Sequence, residues 1–264
     1  MLEIKNLTKT FNAGTINEKV ALDNLSLTLE DGDFVTVIGG NGAGKSTLLN
    51  AISGVWKPDS GQIIVDGVNL SHMPEYKRAK FLGRVFQDPM MGTAADMEIQ
   101  ENLAIANRRG KLRGFKWGIS KKEKAEYVKM LSQLELGLET RLSAKVGLLS
   151  GGQRQAVTLL MASMNKPKIL LLDEHTAALD PKTAEKVLKI TDKIVNENKL
   201  TTIMITHNMA DALSHGNRLI MMNQGKIIVD VKGEDKKKLT VSDLLELFTK
   251  ASGTQFASDR ALLS

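Results

Sequence analysis

The sequence predicts an α/β fold, and three observations carry that expectation. Short apolar runs alternate with segments of helical period. One such run leads straight into a glycine-rich loop and then a helix. A long helical stretch interrupts the alternation in the middle of the chain.

The elements follow in order. Leu2, Ile4 and Leu7 open as strand, and Leu25, Leu27 and Leu29 repeat with period two. Asp31-Gly32-Asp33 is a turn, and Phe34 to Ile38 reads as a buried strand. Ser46 to Ile52 reads as the helix after the glycine-rich loop. Pro58 to Gly61 turns the chain into a strand from Gln62 to Val65, closed by Asp66-Gly67. From about Asp88 to Lys166 the pattern is helical. Ser120 and Glu123 form a capping box there, followed by an apolar face of Ala125, Val128, Leu131 and Leu134. Ile169 to Asp173 is a fully apolar strand ending in an acid, as central parallel strands do. Asp180-Pro181 starts a helix with an apolar face of Ala184, Val187, Leu188, Ile194 and Val195. Thr201 to Thr206 is another buried strand, ending at His207. A charged tail carries an amphipathic piece with Leu244, Leu245, Leu247 and Phe248.

Composition narrows the chemistry. The 264 residues are 42% hydrophobic and 25% charged, enough to bury a sizeable core. Cysteine is absent, which excludes disulfides, zinc–thiolate sites and a cysteine nucleophile. No stretch approaches the roughly 20 apolar residues of a membrane span, and the start lacks a leader-like apolar run. Work at a membrane is therefore expected to go through a partner. The net charge is +6, with basic residues concentrated from Arg108 through Arg113 and Lys116 to Lys124. Aromatic residues are only 4%, too few for a single-strand stacking platform, and no nucleic-acid partner is expected.

Three motifs carry the chemistry. Gly39-Gly40-Asn41-Gly42-Ala43-Gly44-Lys45-Ser46-Thr47 fits the P-loop pattern, strand before and helix after. Its glycines let backbone amides face phosphates, Lys45 is expected on the β- and γ-phosphates, and the Ser46 hydroxyl on Mg²⁺. Asp173 and Glu174 close the apolar strand: Asp173 is placed to hold Mg²⁺ through water, Glu174 to polarise the attacking water. Leu149-Ser150-Gly151-Gly152-Gln153 starts a helix whose apolar face is Ala156, Val157, Leu160 and Met161.

In this order the motifs resemble those of the nucleotide-binding subunits of ABC transporters, over nearly the whole chain. The resemblance implies a P-loop NTPase, RecA-like core with an N-terminal antiparallel β subdomain and an inserted helical subdomain. It implies one domain over residues 1–264: an ATP-binding core of 1–87 and 167–230, helices over 88–166, and a tail over 231–264. Gln87 resembles the Q-loop glutamine, a sensor of Mg²⁺ and water, and His207 the switch histidine. Asp180, in Ala178-Leu179-Asp180, resembles the D-loop, and Phe11 the aromatic that stacks on adenine. The implied ATP site comprises Phe11, Gly39 through Thr47, Ser150 to Gln153 and Asp180, with Glu174, His207, Lys45 and Gln87 catalytic. Ser46, Gln87 and Asp173 are the implied Mg²⁺ ligands.

The resemblance also implies partners. A second copy stacks head to tail, so that the Ser150 helix of one chain faces the P-loop of the other across ATP. An integral-membrane permease docks on the helical subdomain, and a substrate-binding protein acts through it. The chain is then expected in the cytoplasm, peripheral to the inner face of the membrane. Met90, Met91, Met97 and Ile99 read either as an adaptable partner groove or as subdomain core. Two departures stand out: Gly40, where Pro or Ser is common, and His175, where Pro is usual. An ionisable His175 beside Glu174 predicts a shoulder in the ATPase pH profile near imidazole titration. The runs Gln87 to Thr93 and Asp173 to Thr183 resemble ATPases of bacterial importers linked to tryptophan, tyrosine or related small molecules. The alternative reading is a soluble ATPase of the same superfamily serving iron–sulfur cluster assembly.

Overall fold

The structure, a computed structural model, describes residues 1–111 and 118–252. Arg113 and Lys116 of the basic stretch, and the tail beyond 252, lie outside the described residues.

Four strands form an antiparallel sheet: β1 (Leu2–Phe11), β2 (Lys19–Leu29), β4 (Ser60–Val65) and β5 (Val68–Asn69), in the order β2-β1-β4-β5. The period-two leucines set its register. Leu2 faces Leu29, Ile4 faces Leu27 and Leu7 faces Leu25, all buried on one side. A one-residue slip would turn that set to water, so the pattern itself fixes the pairing.

The second sheet holds β3 (Phe34–Ile38), β6 (Leu82–Val85), β7 (Ile169–Asp173), β8 (Thr202–Ile205), β9 (Arg218–Asn223) and β10 (Lys226–Lys232). Its order is β10-β9-β3-β8-β7-β6, and only β10 runs antiparallel to its neighbour. Every residue of β3 and β8 is buried. Such runs need cover on both faces, which helices supply.

Helix α1 (Lys45–Ser53) lies between the sheets: Leu48, Leu49, Ala51 and Ile52 join one core cluster with strand residues of both. The short α2 (Glu75–Arg78) follows β5. Three helices, α3 (Ile99–Asn107), α4 (Lys121–Ser132) and α5 (Gly151–Ser163), fall between β6 and β7 in the chain. With α6 (Pro181–Asn198) they share a second cluster that includes Leu170 and Leu172 of β7. Helices α7 (Met209–Ser214), α8 (Glu234–Lys238) and α9 (Val241–Ser252) complete the described chain.

Three expectations need correction. The stretch 88–166 is less helical than its pattern, with turns and single 3-10 turns between the helices. The buried face of α4 is Tyr127 and Leu131, while Val128 is 39% exposed. A phenol ring removes more apolar area from water than a valine, and the Asn107 amide stands 3.5 Å from its hydroxyl. The four residues Met90, Met91, Met97 and Ile99 do not act together: Ile99 is fully buried, whereas Met90 and Met91 are exposed. The amphipathic tail behaves as its spacing predicts, with Leu244 and Phe248 buried against Met209, Ala212 and Met221.

Candidate functional site

Strand β3 ends at Ile38 inside the sheet, and the next residues must turn sharply into α1. Gly44 makes that possible. Its φ is +104°, and a Cβ there would stand 2.4 Å from the Ala21 carbonyl oxygen. The same residue occupies the cap position of α1, so no side chain covers the first-turn amides. Those amides and the positive helix end face the loop, an arrangement ready for an anion.

Lys45 is 5% exposed, and its ammonium donates to the carbonyls of Gly39 (2.6 Å) and Gly40 (3.1 Å). Burial pushes its pKa below the usual lysine range, while Glu174 and Asp173 nearby oppose the shift. The loop opens onto a cleft of 410 Å³. Residues 41–47 line its floor, with Phe11 and Lys19 also at the wall, and Glu174 and His207 reaching in from the ends of two parallel strands. Phe11 meets Trp56 edge to face at 5.3 Å, which steadies its ring.

Adjacent β7 and β8 bring their ends together, since Asp173 pairs in register with Ile205. Glu174 then leaves the sheet with φ +48°, an uncommon conformation for a side-chain-bearing residue. Its amide donates to the Ile205 carbonyl at 3.1 Å, and its own carbonyl accepts from Ala177 at 3.0 Å. Held this way, the Glu174 carboxylate lies 2.5 Å from Nε2 of His207. Asp173 stays half-buried on an ion pair with Arg84 at 3.0 Å. Burial pushes the Asp173 carboxyl above the usual range, against the pull of that guanidinium.

The sequence-derived residues therefore separate into groups. Phe11, Asn41 to Thr47, Glu174 and His207 converge on one cleft. Gln87 lies exposed just past β6. Asp180 caps α6, its Oδ1 accepting from the Thr183 amide at 3.1 Å. Ser150 and Gln153 cap α5 reciprocally, at 3.3 and 3.2 Å, and are not among the residues lining the Lys45 cleft. Gly152 is buried because α5 meets α6 there: a Cβ would approach Thr183 Cγ2 to 2.1 Å.

His175 overturns its expectation. It is 2% exposed and lies 3.0 Å from the Thr191 hydroxyl, which itself donates to the Val187 carbonyl at 2.9 Å. The imidazole Nε2–H is thus the donor to Thr191. Burial, and secondarily the nearby His215, lower its pKa to about 4. It adds no titration near neutrality.

Ser46 and Asp173 offer only oxygen donors, and among the described residues no three His, Asp or Glu gather into a metal cage. That donor set fits Mg²⁺, which takes one or two protein oxygens and completes its shell with phosphate and water. Sequence reading missed Lys19 and Arg84. Both reach the site through strand pairing, which no local motif announces.

Residues 22–177 match the family model described as ABC transporter. The chain is 49% identical to the tyrosine transport ATP-binding protein of Clostridioides difficile, over 95% of this chain and all of that one. It is 32% identical to the methionine import ATP-binding protein of Bartonella henselae, over 98% of this chain and 74% of that one. A dimeric ATP-binding cassette in a post-hydrolysis state with ADP and Pi superposes with a TM-score of 0.73, at 32% identity over 88% of this chain and 98% of that one. Another cassette, in its ADP conformation, gives 0.76 at 28% identity over 94% and 98%.

Proposed function

The chain belongs to the ABC transporter family as an ATP-hydrolysing subunit, and we propose the following division of labour among its residues. It is a transport-coupled ATPase rather than the soluble alternative. Cassettes of this family form dimers and work with membrane permeases.

ATP occupies the cleft above residues 39–47. The bare N-terminus of α1 and Lys45 bind its phosphates, and Phe11 stacks on its base. Ser46, Asp173 and Gln87 hold Mg²⁺, which neutralises charge on the phosphate oxygens when bound. Glu174 orients the attacking water and takes its proton, and His207 holds the Glu174 carboxylate in line. Ser150, Gly151, Gly152 and Gln153 serve the nucleotide of a second copy, and Asp180 lies at the seam between the copies. The observation that carries this is the separation, within one chain, of the α5 N-terminus from the Lys45 cleft.

Residues 88–166 form the unit that meets the permease, which acts in turn with a substrate-binding protein. No helix among the described residues is long and apolar enough to cross a membrane, in keeping with a peripheral place on the cytoplasmic face. The cargo is a small molecule such as an amino acid, with tyrosine the first candidate.

Glu174→Gln tests the catalytic assignment. Phosphate release falls about 100-fold or more while nucleotide binding persists, the scale of a lost general base. Undiminished phosphate release would remove Glu174 from the mechanism.

A further inference from the structure

Arg84 belongs to none of the nucleotide motifs, yet its guanidinium reaches the site. Strands β6 and β7 pair in parallel, with Arg84 opposite Leu171. Asp173 therefore lies diagonally across, within reach of a long side chain. Arg84 Nη2 donates to Asp173 Oδ2 and Nη1 to Ser53 Oγ, both at 3.0 Å. Ser53 ends α1, the helix that begins at Lys45. One planar cation thus ties the far end of the lysine helix to the acid that ends β7. The Phe86 ring, 4.6 Å from the guanidinium carbon, covers its face.

The same side chain lines a second cleft. This groove of 380 Å³ runs between α3 and α5, walled by Ile105, Arg109, Thr158 and Met161. Arg84 Nε is itself buried and has no hydrogen-bond partner among the described residues. The donor set of the guanidinium is therefore not saturated.

We propose that Arg84 is a positioning residue for Asp173 in the nucleotide cleft. This rests on the nucleotide-site reading above. Arg84 orients the Asp173 carboxylate by engaging Oδ2, with Oδ1 left for other partners. Losing it frees a half-buried carboxylate to rotate. Partners of this kind, one shell beyond the metal, typically change metal affinity by about 10- to 100-fold.

The test titrates MgCl₂ into the full chain with a fluorescent ATP analogue and reads the Mg²⁺ concentration at half-saturation. Arg84→Met raises it by about 10-fold or more, with Arg84→Lys between that variant and wild type. Melting curves with nucleotide absent confirm that the variants are folded. An unchanged half-saturation in Arg84→Met overturns the proposal. Mg²⁺-independent binding in the wild type would instead overturn the assignment of Asp173 to Mg²⁺ on which it stands.

Discussion

At the scale of single residues, the site is a set of side chains fixed by backbone geometry. Glu174 can meet His207 because neighbouring strands end level and the turn after β7 adopts a left-handed conformation. Lys45 and Ser46 were legible in the sequence because a P-loop is consecutive chain, and its chemistry is local. Arg84 and Lys19 were not, because strand pairing brings them in from elsewhere. His175 was legible as a departure from the family but misread in effect: burial, invisible in a single sequence, decides its protonation. Its pKa in the fold is about 4, against 6.5 ordinarily. The unfolded chain thus binds a proton that the folded chain refuses between those values. The stability His175 contributes is full above pH 6.5 and is lost as pH falls toward 4, by about 3 kcal/mol in all. His215, itself paired with Asp192 at 2.7 Å, lies close enough to reinforce the effect. Wild type should lose more melting temperature than His175→Asn between pH 7 and pH 5. Equal losses would show that His175 takes up a proton as readily in the fold as in the unfolded chain.

At the scale of elements, helix starts do the aiming. Ser120, Ser150 and Asp180 each cap the helix that follows, and each was legible because capping is a rule about a few adjacent residues. The face of α4 was not, since spacing alone does not choose between Val128 and Tyr127. Gly152 combines both kinds of information. It belongs to a motif, yet its burial comes from Thr183 on α6. Gly152→Ala forces a clash between α5 and α6 and should destabilise the fold by about 1–3 kcal/mol, the usual scale of overpacking. Thr183→Ser removes the clashing methyl and should restore part of the loss, read as midpoints in urea. A fully stable Gly152→Ala chain would mean that the α5–α6 contact is looser than described.

At the scale of the molecule, the architecture divides the labour. The two sheets and α1 form one core that presents the phosphate loop. The helices between β6 and β7 share a second core with β7, the strand that carries Asp173 and Glu174. Arg84 joins that strand to its neighbour β6 through Asp173. The strands themselves were legible from hydrophobic period, the antiparallel first sheet only by resemblance, and the order of strands within each sheet comes from the structure. The convergence of Phe11 on the phosphate loop was legible only by resemblance, because the loop before Lys19 has few landmarks.

The central claim is that one chain holds half of each active site and that ATP joins the halves. Sedimentation velocity of Glu174→Gln tests it most directly, with ATP and Mg²⁺ or with ADP and Mg²⁺. The account predicts a dimer with ATP, a monomer with ADP, and a monomer with ATP once Ser150→Arg is added. A chain that binds ATP yet stays monomeric, or dimerises regardless of Ser150, would contradict it.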